Sequence, residues 1–113
     1  MTIAQIAQAV EGRIAAGNDN EREVTYAFSS DLMSDVLTVM QDNILLITGL
    51  ANVQTIRTAT MADITSILLV RNKRATGEMK AAAEENGMML IETSYSMFRA
   101  SGILYEAGLK AVF

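Results

Sequence analysis

Four short apolar runs recur along this 113-residue chain at intervals of about 20 residues. Runs of this kind predict strands that are buried on both faces, because a strand with one solvated face alternates apolar and polar residues. Strands buried on both faces need helices on each side of the sheet, and a helical segment follows every run. We predict strands at Val24–Phe28, Ile44–Thr48, Ser66–Val70 and Met88–Glu92.

The segments between the runs have the periodicity and the caps of helices. In the first segment Ile3, Ile6, Ala7 and Val10 fall on one helix face, and Thr2 can cap that helix. Because β–α–β units form right-handed parallel crossovers, the pattern predicts the α/β class. The predicted architecture is a three-layer α/β/α sandwich with a four-stranded, mainly parallel sheet and an extra N-terminal helix. The predicted helices are Thr2–Val10, Leu32–Met40, Val53–Met61, Gly77–Glu85 and Met97–Gly108, with a short extended piece at Arg13–Ala16.

Composition excludes several functional classes. Residues 1–113 suffice for a single domain with its own core. The chain has no cysteine or histidine, which removes disulfides, zinc–sulfur sites and the commonest general base. Its net charge of −4 argues against a nucleic-acid partner. No apolar run is long enough to cross a bilayer and no secretory signal opens the chain, so we expect a cytoplasmic protein that binds no membrane.

Small polar residues follow each predicted strand, at the edge where open α/β sheets bind ligands. Arg71, Lys73 and Arg74 form a local positive patch there, and helix N-termini add backbone N–H groups that suit an anion. The alternative is that these residues only cap helices and face solvent. We expect no metal, cofactor or catalytic residue. The candidate ligand-binding residues are Ser30, Asp31, Thr48, Gly49, Asn52, Arg71, Lys73, Arg74, Thr93 and Ser94.

The last predicted helix has two apolar faces, whereas a helix that packs on a sheet needs only one. One of the two faces can pack on the sheet. The second carries Phe98, Tyr105, Leu109 and Val112 and needs another surface to cover it. The N-terminal helix and a second copy of the chain are both suitable, and the two are compatible. We therefore predict a homodimer with these four residues as its candidate interface.

The eight methionines of the chain could either form an adaptable binding surface or fill the core. Most lie in predicted strands or on apolar helix faces. We therefore predict that the methionines, including Met33, Met40, Met88, Met89 and Met97, belong to the core.

Five blocks of the sequence form a recognisable set: Ser30–Leu37, Ile47–Gln54, Ala82–Gly87, Ser96–Phe98 and Gly102–Leu109. Together they resemble the DRTGG domain family, in which SDLLSDV corresponds to the first block. The resemblance covers nearly the whole chain, including the opening helix and the turn at Gly17. The family has an α/β/α fold, also found at the N-terminus of HPr kinase/phosphorylase and inside some phosphate acetyltransferases and CBS-domain pyrophosphatases. There it resembles a non-catalytic regulatory or assembly unit. The string DRTGG and the kinase P-loop are both absent here, so the resemblance implies no kinase activity.

Two functions from different classes follow. The first is a stand-alone, non-catalytic regulatory or protein-interaction module that acts as a homodimer and offers its apolar helical surface to a second copy or to a larger enzyme. The alternative is a small-ligand sensor that binds an anionic metabolite or nucleotide at the rim of the sheet. We expect no enzymatic activity, because no Ser-His-Asp or Cys-His arrangement exists in the chain.

Overall fold

The computed structural model describes residues 1–113 and contains six strands and five helices, which alternate along the chain except that β2 follows β1 directly. None of the helices is long and apolar enough to cross a membrane. The strands are β1 (Arg13–Ala16), β2 (Tyr26–Ser29), β3 (Ile44–Thr48), β4 (Ser66–Leu69), β5 (Met89–Glu92) and β6 (Lys110–Ala111). The helices are α1 (Ile3–Ala9), α2 (Met33–Val36), α3 (Val53–Met61), α4 (Gly77–Glu85) and α5 (Met97–Glu106).

All six strands form one sheet, in the order β1-β5-β4-β3-β2-β6. The four predicted strands are the central ones, and they are parallel to one another. The predicted number of four strands is wrong, because two short strands extend the sheet at its edges. β1 pairs antiparallel with β5, and β6 pairs parallel with β2. The α/β class is therefore confirmed, with a mixed sheet of six strands.

The edge strand β6 exists because α5 ends earlier than predicted. The helix stops at Glu106, and Gly108 has a φ of 116°, in the left-handed region that favours glycine. The chain then turns, and the Lys110 N–H donates to the Thr25 carbonyl oxygen at 3.0 Å, next to the start of β2. A strand of two residues is too short to have a recognisable period in the sequence.

Two apolar clusters lie on opposite faces of the sheet. In β3, Leu46 faces the cluster covered by α2, α3 and α4, whereas Leu45 and Ile47 face the cluster covered by α1 and α5. Ile3 and Ile6 of α1 lie in the second cluster together with residues of α5, so the N-terminal helix does cover part of that face. Three helices therefore cover one face and two cover the other.

The methionines divide between the core and the surface. Met79, Met88 and Met89 are buried, as predicted. The prediction is wrong for Met40, whose side chain is 92% exposed. Its predicted helix, Leu32–Met40, is reduced to the single turn of α2, so Met40 lies in the irregular segment before β3 and not on a helix face that packs on the core.

Candidate functional site

The ten candidate ligand-binding residues all lie at the carboxyl edge of the parallel strands, but the structure divides them into separate groups. One group surrounds Asp31, and we call it the Asp31 cluster. Another group lines a cleft beside Glu92, which we call the Glu92 cleft. Ser30 and Asn52 belong to neither group. The Asp31 cluster is formed by Asp31, Thr48, Gly49 and Arg71, and the cleft contains Lys73, Arg74, Thr93 and Ser94.

In the Asp31 cluster a carboxylate of the chain itself occupies the N–H groups that an anion would use. Oδ1 of Asp31 accepts hydrogen bonds from the Thr48 hydroxyl at 2.9 Å and from the Gly49 N–H at 2.7 Å. A guanidinium nitrogen of Arg71 lies 3.6 Å from Oδ2. The Arg71 guanidinium packs over Gly49, where a Cβ would lie only 3.0 Å from its Cζ. Glycine at position 49 therefore leaves room for Arg71, and Arg71 is already paired.

Ser30 and Asn52 have local structural roles. The Ser30 hydroxyl accepts a hydrogen bond from the Leu32 N–H at 2.9 Å. Asn52 is the N-cap of α3, and its side-chain oxygen accepts from the Thr55 N–H at 3.1 Å. These contacts are the ordinary capping and turn roles that the sequence offered as the alternative to ligand binding.

The loops after β4 and β5 are held together by backbone hydrogen bonds. Arg71 and Asn72 both have a φ of 59°, and this left-handed turn directs their N–H groups to the loop after β5. The Arg71 N–H donates to the Tyr95 carbonyl at 2.8 Å, and the Asn72 N–H donates to the Thr93 carbonyl at 3.0 Å. The Thr93 hydroxyl in turn donates to the Val10 carbonyl at 2.7 Å, which connects the rim to the end of α1.

A buried carboxylate, Glu92, organises the second group and was not predicted from the sequence. It is the last residue of β5 and only 4% exposed. Its oxygens accept from Arg13 Nε at 2.9 Å, from the Ala75 N–H at 2.6 Å and from Arg74 Nη1 at 3.4 Å. Burial raises the pKa of Glu92, but the hydrogen bond from Ala75 and the two arginines together outweigh it and hold the pKa below its ordinary value. The sequence signal was an acidic residue that ends a buried strand.

The Glu92 cleft has a volume of about 230 Å³ and no hydrophobic lining residue. Lys73 is exposed and forms no ion pair. Arg13 and Arg74 each contact Glu92 through one nitrogen and remain more than half exposed, so most of their N–H donors stay accessible. The lining residues are Glu11, Gly12, Arg13, Asn72, Lys73, Arg74, Glu92, Thr93 and Ser94.

Tyr95 lies beside this cleft and contacts two charged residues, Glu11 and Arg99. The sequence indicated neither contact. The Tyr95 hydroxyl donates a hydrogen bond to the Glu11 carboxylate, and the Arg99 guanidinium lies 3.8 Å from the centre of the Tyr95 ring. The hydrogen bond to Glu11 raises the pKa of Tyr95, because the protonated phenol is the form that donates. Glu11 has a φ of 49° and also lines the cleft.

No group of three or more potential metal-ligating residues is present.

The four candidate interface residues do not share one face. Phe98 and Tyr105 project from α5 and are 90% and 71% exposed. Leu109 and Val112 lie beyond the end of α5 and are buried in the apolar clusters on opposite sides of the sheet. Their predicted position on an exposed helix face is wrong, because the turn at Gly108 carries the chain into β6.

An open apolar groove lies beside the two exposed aromatic residues, and we call it the α5 groove. It runs between α5 and the β2–β6 end of the sheet and has a volume of about 300 Å³. Its face of the sheet is the one that only two helices cover. The lining residues are Ala27, Ser29, Ile47, Phe98, Ser101, Gly102, Leu104, Tyr105, Leu109, Lys110 and Ala111.

Comparison with known proteins identifies the family. No curated protein matches the chain significantly. Among solved structures, the chain is similar to the CBS and DRTGG domains of the regulatory region of Clostridium perfringens pyrophosphatase, which was crystallised with its activator, diadenosine tetraphosphate. The TM-score is 0.75 at 10% identity, over 96% of this chain and 47% of that chain, so the two share a fold and this chain spans about half the length of the other. The profile of the DRTGG domain matches residues 5–107, and the chain therefore belongs to the DRTGG domain family.

Proposed function

We propose that this DRTGG domain, residues 1–113, is a non-catalytic regulatory module that acts as a homodimer through the α5 groove. The observation that carries the proposal is the exposure of two aromatic side chains, Phe98 and Tyr105, beside an apolar groove. They are seven residues apart and therefore lie on the same face of the helix. Aromatic side chains in such positions dominate the energy of protein interfaces. The similar fold in a pyrophosphatase regulatory region supports a regulatory role.

A second copy is a suitable cover for the α5 groove because the surface is self-complementary in charge. Lys110 in β6 lines the groove and is exposed, and Glu106 is an exposed residue at the end of α5. In the dimer that we propose, a twofold axis over α5 would pair the carboxylate of one copy with the ammonium of the other. The apolar floor, which includes Ala27 and Ala111, is then shielded from water on both copies.

Substitution of Tyr105 by aspartate is expected to weaken the dimer by about 2–4 kcal/mol, or roughly 30- to 1,000-fold in the dissociation constant. The reason is that a carboxylate in an apolar interface loses its hydration without gaining a partner. Sedimentation equilibrium over a range of protein concentrations measures this constant. Met40→Asp, which adds the same charge at an exposed site on the other face of the sheet, is the matched control and should leave the dimer intact. A Tyr105→Asp protein as dimeric as the wild type would contradict the proposal.

A second candidate function, the sensing of a small anion, is favoured by the composition of the Glu92 cleft. Three cationic side chains line an entirely polar space, and one of them, Lys73, has no partner in the chain. The Asp31 cluster is a poorer site, because its N–H group, its hydroxyl and its arginine already bind Asp31. The candidate ligand therefore carries a phosphate or carboxylate group and is held by Lys73, Arg74 and the neighbouring hydroxyl of Ser94.

Thermal unfolding in the presence of inorganic phosphate, nucleotides and dinucleotides tests the sensor function. A ligand at about 100 times its dissociation constant should stabilise the domain by about 2.7 kcal/mol and raise the midpoint by roughly 10 °C. The Lys73→Gln variant is expected to lose most of this shift, since it removes the unpaired charge without disturbing the contacts of Glu92. Lys80→Gln, at an exposed position of α4, is the control. A shift that survives in Lys73→Gln would exclude the cleft as the site.

A further inference from the structure

A second apolar groove lies on the face of the sheet opposite to the α5 groove, at the amino ends of β3 and β4. It has a volume of about 290 Å³ and is formed by the segment before β3 and the end of α3. Leu37, Met40 and Met61 in this groove are 52%, 92% and 66% exposed. We call it the methionine groove. Three large apolar side chains in one place on the surface of a small domain mark an interaction surface.

The polar lining of the methionine groove is acidic. Asp42 and Asp63 are both exposed, and the remaining polar lining residue is Gln41. No basic residue lines the groove. Arg57 lies one helical turn before Met61 on α3 and is not part of the lining. The groove therefore combines an apolar floor with a negative rim.

We propose that the methionine groove binds a basic amphipathic helix of a protein partner. β3 and β4 are interior strands with a neighbour on both sides, so an extended peptide cannot add to the sheet at this place. A helix can place its apolar stripe on the groove, and flexible thioether side chains adapt to such a stripe. The two carboxylates favour lysine or arginine beside that stripe. The site lies on the face opposite to Phe98 and Tyr105, so this proposal goes beyond the homodimer and does not depend on it.

Fluorescence anisotropy with a labelled synthetic peptide of leucine and lysine, about 18 residues long so that it can form a helix, tests the proposal on the 113-residue protein. The matched control peptide has glutamate in place of every lysine. The wild-type protein is expected to bind the lysine peptide at least about tenfold more tightly than the glutamate peptide. Equal binding of the two peptides would overturn the assignment of a basic partner.

Two sets of variants locate the binding. Met40→Ser with Met61→Ser removes exposed apolar surface and is expected to weaken binding at least about tenfold. Asp42→Asn with Asp63→Asn is expected to weaken it about threefold or more and to reduce its dependence on salt. Asparagine tolerates the left-handed backbone at position 63, where φ is 58°, so this change removes charge without strain. Glu84→Gln with Glu85→Gln on α4 removes two carboxylates outside the groove and should have no effect.

Three outcomes would refute the proposal. The first is unchanged binding in the Met40/Met61 variant, which would place the peptide elsewhere. The second is an equal loss in the Glu84/Glu85 variant, which would show attraction to the net negative charge alone. The third is a change of oligomeric mass in the Met40/Met61 variant, measured by light scattering without peptide, which would show that a second copy covers this groove.

Discussion

Replacement of Glu92 by alanine is expected to lower the free energy of unfolding by about 3 kcal/mol. The carboxylate is buried and accepts hydrogen bonds from Arg13, Arg74 and the Ala75 N–H, so its removal leaves three donors without an acceptor. Both guanidinium groups are more than half exposed and can be rehydrated, which keeps the loss at the lower end for a buried ion pair. Urea unfolding followed by circular dichroism measures the change. A loss below about 1 kcal/mol would show that the network is not stabilising.

The isosteric variant Glu92→Gln separates charge from shape. Glutamine retains an oxygen that can accept from Ala75 but has no charge for the arginines, so an intermediate loss is expected. The pKa of Glu92 lies below its ordinary value of 4.5 in the folded protein. The carboxylate therefore contributes stability that is complete above about pH 4.5 and is lost as the pH falls through the lowered value. In Glu92→Gln, stability should fall less steeply below pH 4.5 than in the wild type, and parallel curves would contradict the assignment.

Replacement of Gly17 by alanine is also expected to cost about 3 kcal/mol, for a reason of backbone geometry. Gly17 follows β1 with a φ of 96°, a conformation that residues with a Cβ rarely adopt. A Cβ there would overlap the Met89 sulfur and would lie 2.9 Å from the Met88 carbonyl oxygen. The methionine side chain can move, but the carbonyl belongs to the segment that enters β5. The Met89 sulfur also accepts from the Asp19 N–H at 3.3 Å, and that contact would be lost.

Gly87→Ala is the matched control for this prediction. Gly87 also has a positive φ, of 65°, but a Cβ there would meet no atom within 4 Å. Its expected cost is the backbone strain alone, about 1 kcal/mol. Thermal and urea unfolding of the two variants compare the effects directly. Equal losses would show that the contact with the start of β5 has no energetic weight.

Three of the four central strands, β3, β4 and β5, were predictable because each is a mostly apolar segment of four or five residues that is buried on both faces. The remaining central strand, β2, is only half-buried and begins two residues later than predicted. Helices α3 and α4 begin and end at the predicted residues, since Asn52 and Thr76 supply side-chain caps. α2 and β6 were mispredicted because neither is stabilised locally. A helix of four residues and a strand of two residues form where the packing and pairing of distant segments favour them.

The rim shows the same division between local and long-range effects. The location of the rim, at the carboxyl edge of the sheet, could be predicted from the parallel strands. The helix caps could be predicted from residue types that are close in sequence. The pairs Arg71–Asp31 and Arg74–Glu92 each join residues from separate segments of the chain, and Arg13 pairs with Glu92 across 79 positions. Because Arg71 and Arg74 are both paired with carboxylates, Lys73 is the one unpaired cation of the positive patch that the sequence predicted. No local pattern carries that information, because an ion pair depends on distance in space.

The sequence by itself determined the α/β class, the four central strands and the edge at which the polar loops gather, since burial and periodicity follow directly from residue type. Only the tertiary structure decided the six-strand sheet, the burial of Glu92, the position of Leu109 and Val112 inside the core, and the exposure of Met40. The physical reason is that each of these depends on the turn at Gly108 or on contacts between segments far apart in the chain. Such contacts form only after the sheet has brought the segments together.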